Sequence, residues 1–82
     1  MQIPELSPVQ SSNISSNIAA IGFDLHSQTL YVEFKGRKGA AGSIYSYVAV
    51  PPEMFVRFQN APSKGGFFAA EIRGRYAASR IQ

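Results

Sequence analysis

The sequence predicts an α+β domain: a three-stranded antiparallel β-meander followed by two short helices packed on one face. Three observations predict it. The run TLYVEFK, Thr29 to Lys35, alternates strictly, with Leu30, Val32 and Phe34 on one side and Tyr31, Glu33 and Lys35 on the other. A strand-like apolar run lies on either side of it, joined by segments rich in turn residues. From Pro52 the apolar spacing changes from two residues to three or four, which is helical.

The elements follow in order. Residues 1–15, MQIPELSPVQSSNIS, are rich in Ser, Pro, Gln and Asn without periodicity and read as a flexible arm. The remaining residues, 16–82, form one domain. Ile18, Ile21 and Phe23 mark the first strand; its alternation slips between Ile18 and Ile21, as a bulge would cause. DLHSQ, Asp24 to Gln28, is a turn. After the second strand, GRKGAAGS from Gly36 to Ser43 reads as a long, basic, glycine-rich loop. IYSYVAV then forms the third strand, with Tyr45, Tyr47 and Ala49 on one side. Pro52 and Glu53 suit a helix start, and Met54, Phe55, Phe58 and Ala61 share one helical face. Pro62 ends that helix. Ser63 is a good N-cap for a second helix through about Arg73, with Phe67, Phe68 and Ile72 buried and Gly74 at the left-handed C-cap position.

A chain of 82 residues makes one small domain. At that size folding buries only about 60% of the chain's surface, so self-association is expected to add stability. The absence of cysteine removes disulfides and thiolate metal sites and fits a cytoplasmic setting. One histidine, His26, cannot build a protein zinc site, and no metal or cofactor is expected. No apolar run approaches the roughly 20 residues that span a bilayer, and the N-terminus lacks the pattern of a secretory signal. The net charge is +3, unevenly placed. From residue 57 onward Arg57, Lys64, Arg73, Arg75 and Arg80 face only Glu71, a balance of +4; the first 56 residues sum to −1. An anionic partner for the C-terminal third is the natural inference, and a solvated basic tail is the alternative.

The candidate chemistry argues against an enzyme. His26 shares a turn with Asp24 and Ser27, where Asp and Ser more often cap backbone groups than relay protons. The five acids are scattered. Binding reads better. Ser63, Lys64, Gly65 and Gly66 offer bare amides, a helix start and an ammonium to a phosphate; the alternative is that the glycines permit close packing. Arg73 and Arg75, with Tyr76 beside them, can grip phosphate or stack on a base, or can simply be favourable cations at a helix end. Arg37 and Lys38 add cations from the loop. Because Leu30, Val32 and Phe34 are expected under the helices, Tyr45 and Tyr47 are expected on the open face, free to stack on a base or meet a partner subunit. Tyr31 joins them if the register permits.

Several motifs occur together in a recognisable order. Tyr45-Ser46-Tyr47 leads into Val50-Pro51, and Ser63, Gly65, Phe67, Phe68, Ile72 and Arg73 follow. From about Asn17 to Tyr76 the chain resembles the KTSC domain, a module at the C-terminus of some lysyl-tRNA synthetases and in free-standing bacterial and phage proteins. The resemblance implies the fold more than an activity, with RNA binding the usual suggestion. GRKGAAGS departs from the tight turn expected at that point of the family.

Three functions fit these features. One is a non-catalytic binder of a small nucleotide or other phosphorylated ligand, with pockets near subunit contacts. Sequestration of a nucleotide signal, as by small phage proteins, follows the same logic. The second is an RNA or single-stranded nucleic-acid module. The third is a ligand-free oligomerising adaptor. About four clustered cations suit one to three phosphates better than a long strand, whose binding takes several phosphate contacts and falls steeply with salt.

Overall fold

The fold was obtained as a computed structural model that describes residues 6–8, 18–36 and 41–82. Its elements are β1 (Ser7–Pro8), β2 (Ile18–Asp24), β3 (Thr29–Lys35), β4 (Ala41–Tyr47), α1 (Pro52–Asn60), α2 (Lys64–Phe67), a π-helical turn (Phe68–Ile72) and β5 (Ala78–Arg80). The strands form one antiparallel sheet in the order β1-β2-β3-β4-β5. The α+β class and the central meander match the sequence. The sheet is wider than three strands, because two short edge strands flank the meander. Ser7–Pro8, in the segment read as an arm, lies beside Ile21 and Ala20. Proline is tolerated in edge strands, where a missing N–H need not cost a ladder hydrogen bond. Ala78–Arg80 pairs with Tyr45–Tyr47. Three residues are too few to show alternation.

The expected slip in β2 is a bulge. Ile18 pairs with Phe34, but Ala20 pairs with Glu33, so β2 spends an extra residue at Ala19. The bulge turns Ile18 and Ile21 to the same face despite their odd spacing. That face also carries Leu30, Val32 and Phe34 and is covered by Phe55, Phe58, Phe67, Phe68 and Ile72. Phe23 stacks on Phe55 with ring centroids 5.0 Å apart, and Phe58 is fully buried. At the β2–β3 turn, Asp24 accepts hydrogen bonds from the His26 amide and the Ser27 hydroxyl, both at 3.0 Å. The triplet therefore performs turn capping.

The third strand begins and ends earlier than the alternation suggests. β4 starts at Ala41, inside the segment read as a loop, and stops at Tyr47. Ala49 has φ 58°, and the Val50 amide donates to the Gln28 carbonyl at 2.9 Å, so the chain leaves the β4 ladder before Val50. Gly42 explains the early start. A Cβ there would run into the carbonyl oxygen of Phe34 on β3, so only glycine allows this approach. In the second helical segment Ser63 Oγ accepts the Gly66 amide at 3.1 Å, the expected N-cap. Gly74 has φ +80°, the expected left-handed exit.

These two glycines differ in what a side chain would meet. Nothing lies within 4 Å of a Cβ at Gly74, so Gly74→Ala carries only the left-handed backbone penalty of about 1–2 kcal/mol. Gly42→Ala must push apart a pair of hydrogen-bonded strands and is expected to lower the unfolding free energy by about 3 kcal/mol, the upper end of overpacking costs. Urea denaturation of both variants checks this, and equal losses would contradict the close approach at Gly42.

Candidate functional site

The second helical segment is fixed over the sheet by its aromatic residues. Phe67 stacks on Phe58 of α1, with centroids 5.4 Å apart and planes at 16°. Arg57 lies 5.5 Å from the centre of the Phe67 ring, a cation–π distance. Phe68 stands edge-on to both Phe34 and Tyr47, at 5.5 and 5.6 Å. Ile72 is fully buried at the far end of the π-helical turn. There the Arg73 amide donates to the Phe68 carbonyl at 2.8 Å, five residues back instead of four. Such wide turns occur frequently at functional sites.

Between this segment and the sheet lies a cavity of about 580 Å³. That volume falls within the range of small-molecule sites, about 300–1,000 Å³. Its apolar wall is Ile18, Phe34, Phe68 and Ala69; its polar lining is Tyr45, Tyr47, Ser63, Gly65, Gly66 and Arg73. Six of the sequence-predicted site residues therefore meet in one place. Others do not. Lys64 does not line the cavity, and its ammonium donates to the Ala61 carbonyl at 2.7 Å. Arg75 is exposed outside it, and Tyr76 packs half-buried against the core. Arg37 and Lys38 lie outside the described residues.

The tyrosines require a correction. Tyr45 and Tyr47 are not on an open sheet face. The register sets Val32 opposite Tyr45 and Leu30 opposite Tyr47, and directly paired residues share a face. Both tyrosines thus lie on the helix-covered side, and Tyr47 is only 5% exposed. Tyr31 pairs with Ser46 and is buried on the opposite face, away from them. The alternation within each strand was legible, but the relative phase of two strands is a property of their pairing. Ile18, Phe34, Phe68 and Ala69 were read as core or not singled out; only the register reveals them as cavity wall.

Burial pushes the Tyr47 phenol above its usual value, neighbouring Tyr45 adds to the rise, and the positive charge of Arg73 opposes it. These influences put two phenols and one guanidinium within electrostatic reach of each other. The Tyr47 hydroxyl has no hydrogen-bond partner among the described residues, yet it is not sealed from solvent. Tyr47 is one of the residues that line the cavity. Among the described residues no carboxylate lines the cavity, and no three His, Cys, Asp or Glu side chains are grouped as metal ligands.

The raised Tyr47 value has a consequence for stability. The folded state holds this proton more tightly than the unfolded chain, whose phenol titrates near 10.0. Stability is therefore whole below that pH and falls as pH rises through it. Tyr47→Phe removes this contribution, so its unfolding free energy should decline less steeply above pH 10 than that of the parent. Denaturant titrations at stepped alkaline pH check this; parallel declines would contradict it.

The family model of the KTSC domain matches residues 14–76. The chain is 38% identical over 66 residues to a lysine–tRNA ligase of Nostoc punctiforme, covering 80% of this chain and 11% of the ligase. It thus spans about a tenth of the length of the ligases it matches. It is 39% identical over 54 residues to an uncharacterized protein of Stutzerimonas stutzeri, covering 66% of this chain and 69% of the other. The crystal structure of a KTSC domain protein from Yersinia pestis superposes with a TM-score of 0.78 at 32% identity, covering 95% of this chain and 97% of that one. With its sequence motifs, sheet and helical cover all accounted for, the chain belongs to the KTSC domain family.

Proposed function

We propose that this protein is a non-catalytic binder of a small phosphorylated ligand of the nucleotide class, held in the cavity between the sheet and the second helical segment. One observation carries the reading: an aromatic-walled cavity of about 580 Å³ whose polar lining is made of donors, Arg73 and the two phenols, with no acid to repel an anion. The aromatic wall suits a base or another planar body. A protein that only holds such a ligand acts by withholding it, so sequestration of a nucleotide signal in the cytoplasm is the corresponding role. No helix among the described residues is long and apolar enough to cross a membrane. Exposed Leu25, Val48, Val56 and Ile81 supply apolar surface for the self-association expected of so small a domain.

A second reading has its own support. The relatives named lysine–tRNA ligase act on an RNA by name, and the matched region is a small portion of them. RNA binding by this chain would use its exposed arginines. It would not use a tyrosine platform, since Tyr45 and Tyr47 are covered.

Native mass spectrometry of protein purified from expressing cells tests the proposal and counts subunits in the same spectrum. A retained phosphorus-containing small molecule is expected. Arg73→Ala should lose at least ~10-fold in ligand occupancy, the scale of one charge-assisted hydrogen bond, while Arg75→Ala should retain it. Salt-sensitive RNA retention would favour the second reading. An empty, stable oligomer would favour a ligand-free adaptor.

A further inference from the structure

Resting on the small-ligand reading, we infer that the cavity takes a nucleoside monophosphate, seating its single phosphate on Arg73 and the hydroxyls of Tyr45 and Tyr47, and that it rejects di- and triphosphates. The seat is defined by Tyr47. This residue is only 5% exposed, it lines the cavity, and its hydroxyl has no partner among the described residues. A solvent-reachable hydroxyl with no protein partner is free to donate to an acceptor oxygen arriving in the cavity. Tyr45 lines the same cavity, and Arg73 supplies a planar fork suited to phosphate.

The charge balance sets the number of phosphates. Arg73 is the one cation among the described residues that line the cavity. A phosphate monoester carries about −1.5 to −2 at neutral pH, as phosphorylated side chains do. One guanidinium and two neutral donors match that charge. Each further phosphate adds negative charge that no second cation among the described lining residues neutralises. The other cations of this region are committed elsewhere: Lys64 donates to the Ala61 carbonyl, and Arg57 sits over the Phe67 ring. Among the described residues no lining carboxylate is present to hold the magnesium that accompanies polyphosphates. The remaining wall of Ile18, Phe34 and Phe68 is apolar and suits the nucleoside.

Calorimetric titration of the full chain with the four common nucleoside monophosphates and the four matching triphosphates, in magnesium buffer, tests this. At least one monophosphate is expected to bind at least ~10-fold tighter than its triphosphate and its free nucleoside, the step that one charge-assisted contact supplies. Tyr47→Phe should weaken that monophosphate at least ~10-fold, the scale of one hydrogen bond to a charged group. Tyr45→Phe gives an independent check on the same seat should Tyr47→Phe fold poorly. A triphosphate that binds as tightly as its monophosphate, or monophosphate affinity unchanged in both phenylalanine variants, overturns the assignment and leaves the broader small-ligand reading standing. Failure of all eight nucleotides to bind overturns both.

Discussion

The site depends on the edge of one phenylalanine. Phe68 wedges between Phe34 of β3 and Tyr47 of β4, meeting both at steep interplanar angles, 73° and 77°. Edge-to-face pairs of this kind contribute about 0.5–1.5 kcal/mol each beyond the burial they bring. They also hold the second helical segment at a set height above the sheet. Phe58 beneath Phe67 and the buried Ile72 fix its two ends. Between these supports the segment does not close on the sheet, and the cavity is the space left over. The cavity opens to the surface, where its lining residues Ser63, Gly66, Ala69 and Arg73 are exposed.

The same geometry decides which charged residues matter. The basic excess of the C-terminal third is real in the sequence, but it is dispersed in three dimensions. Lys64 folds back on a carbonyl, Arg57 lies on a ring, and Arg75 faces solvent, while Arg73 alone among them lines the cavity. The π-helical turn is responsible for that selection. It ends on the bond from the Arg73 amide to the Phe68 carbonyl, and both residues of that pair line the cavity. One charge among donors is a different instrument from a basic stripe.

Much of the fold was legible in the sequence because local chemistry specifies it. The alternation of Thr29–Lys35, the N-cap at Ser63, the left-handed exit at Gly74 and the slip at Ile18 each have a short-range cause. What was not legible has long-range causes. The side taken by Tyr45 and Tyr47 follows from their pairing with Val32 and Leu30, which no single strand encodes. The early start of β4 rests on Gly42 lying against the Phe34 backbone, a contact between different strands. β5 is three residues long and is recruited by the free edge of β4. The residues of the candidate site were therefore largely visible as types, whereas their convergence was not. Serine, glycine and arginine at Ser63, Gly65, Gly66 and Arg73 looked like a phosphate cradle by themselves; the tyrosines opposite them complete a cavity.

Amide shift mapping by NMR, as a monophosphate nucleotide is added to labelled protein, tests most directly whether the cavity is the anion site. The largest changes are predicted to cluster at Tyr45, Tyr47, Gly65, Gly66, Phe68 and Arg73, which share one cavity although they are far apart in sequence. Changes confined to exposed residues such as Arg75, Arg80 and Val56, with those six silent, would show that an anion binds elsewhere.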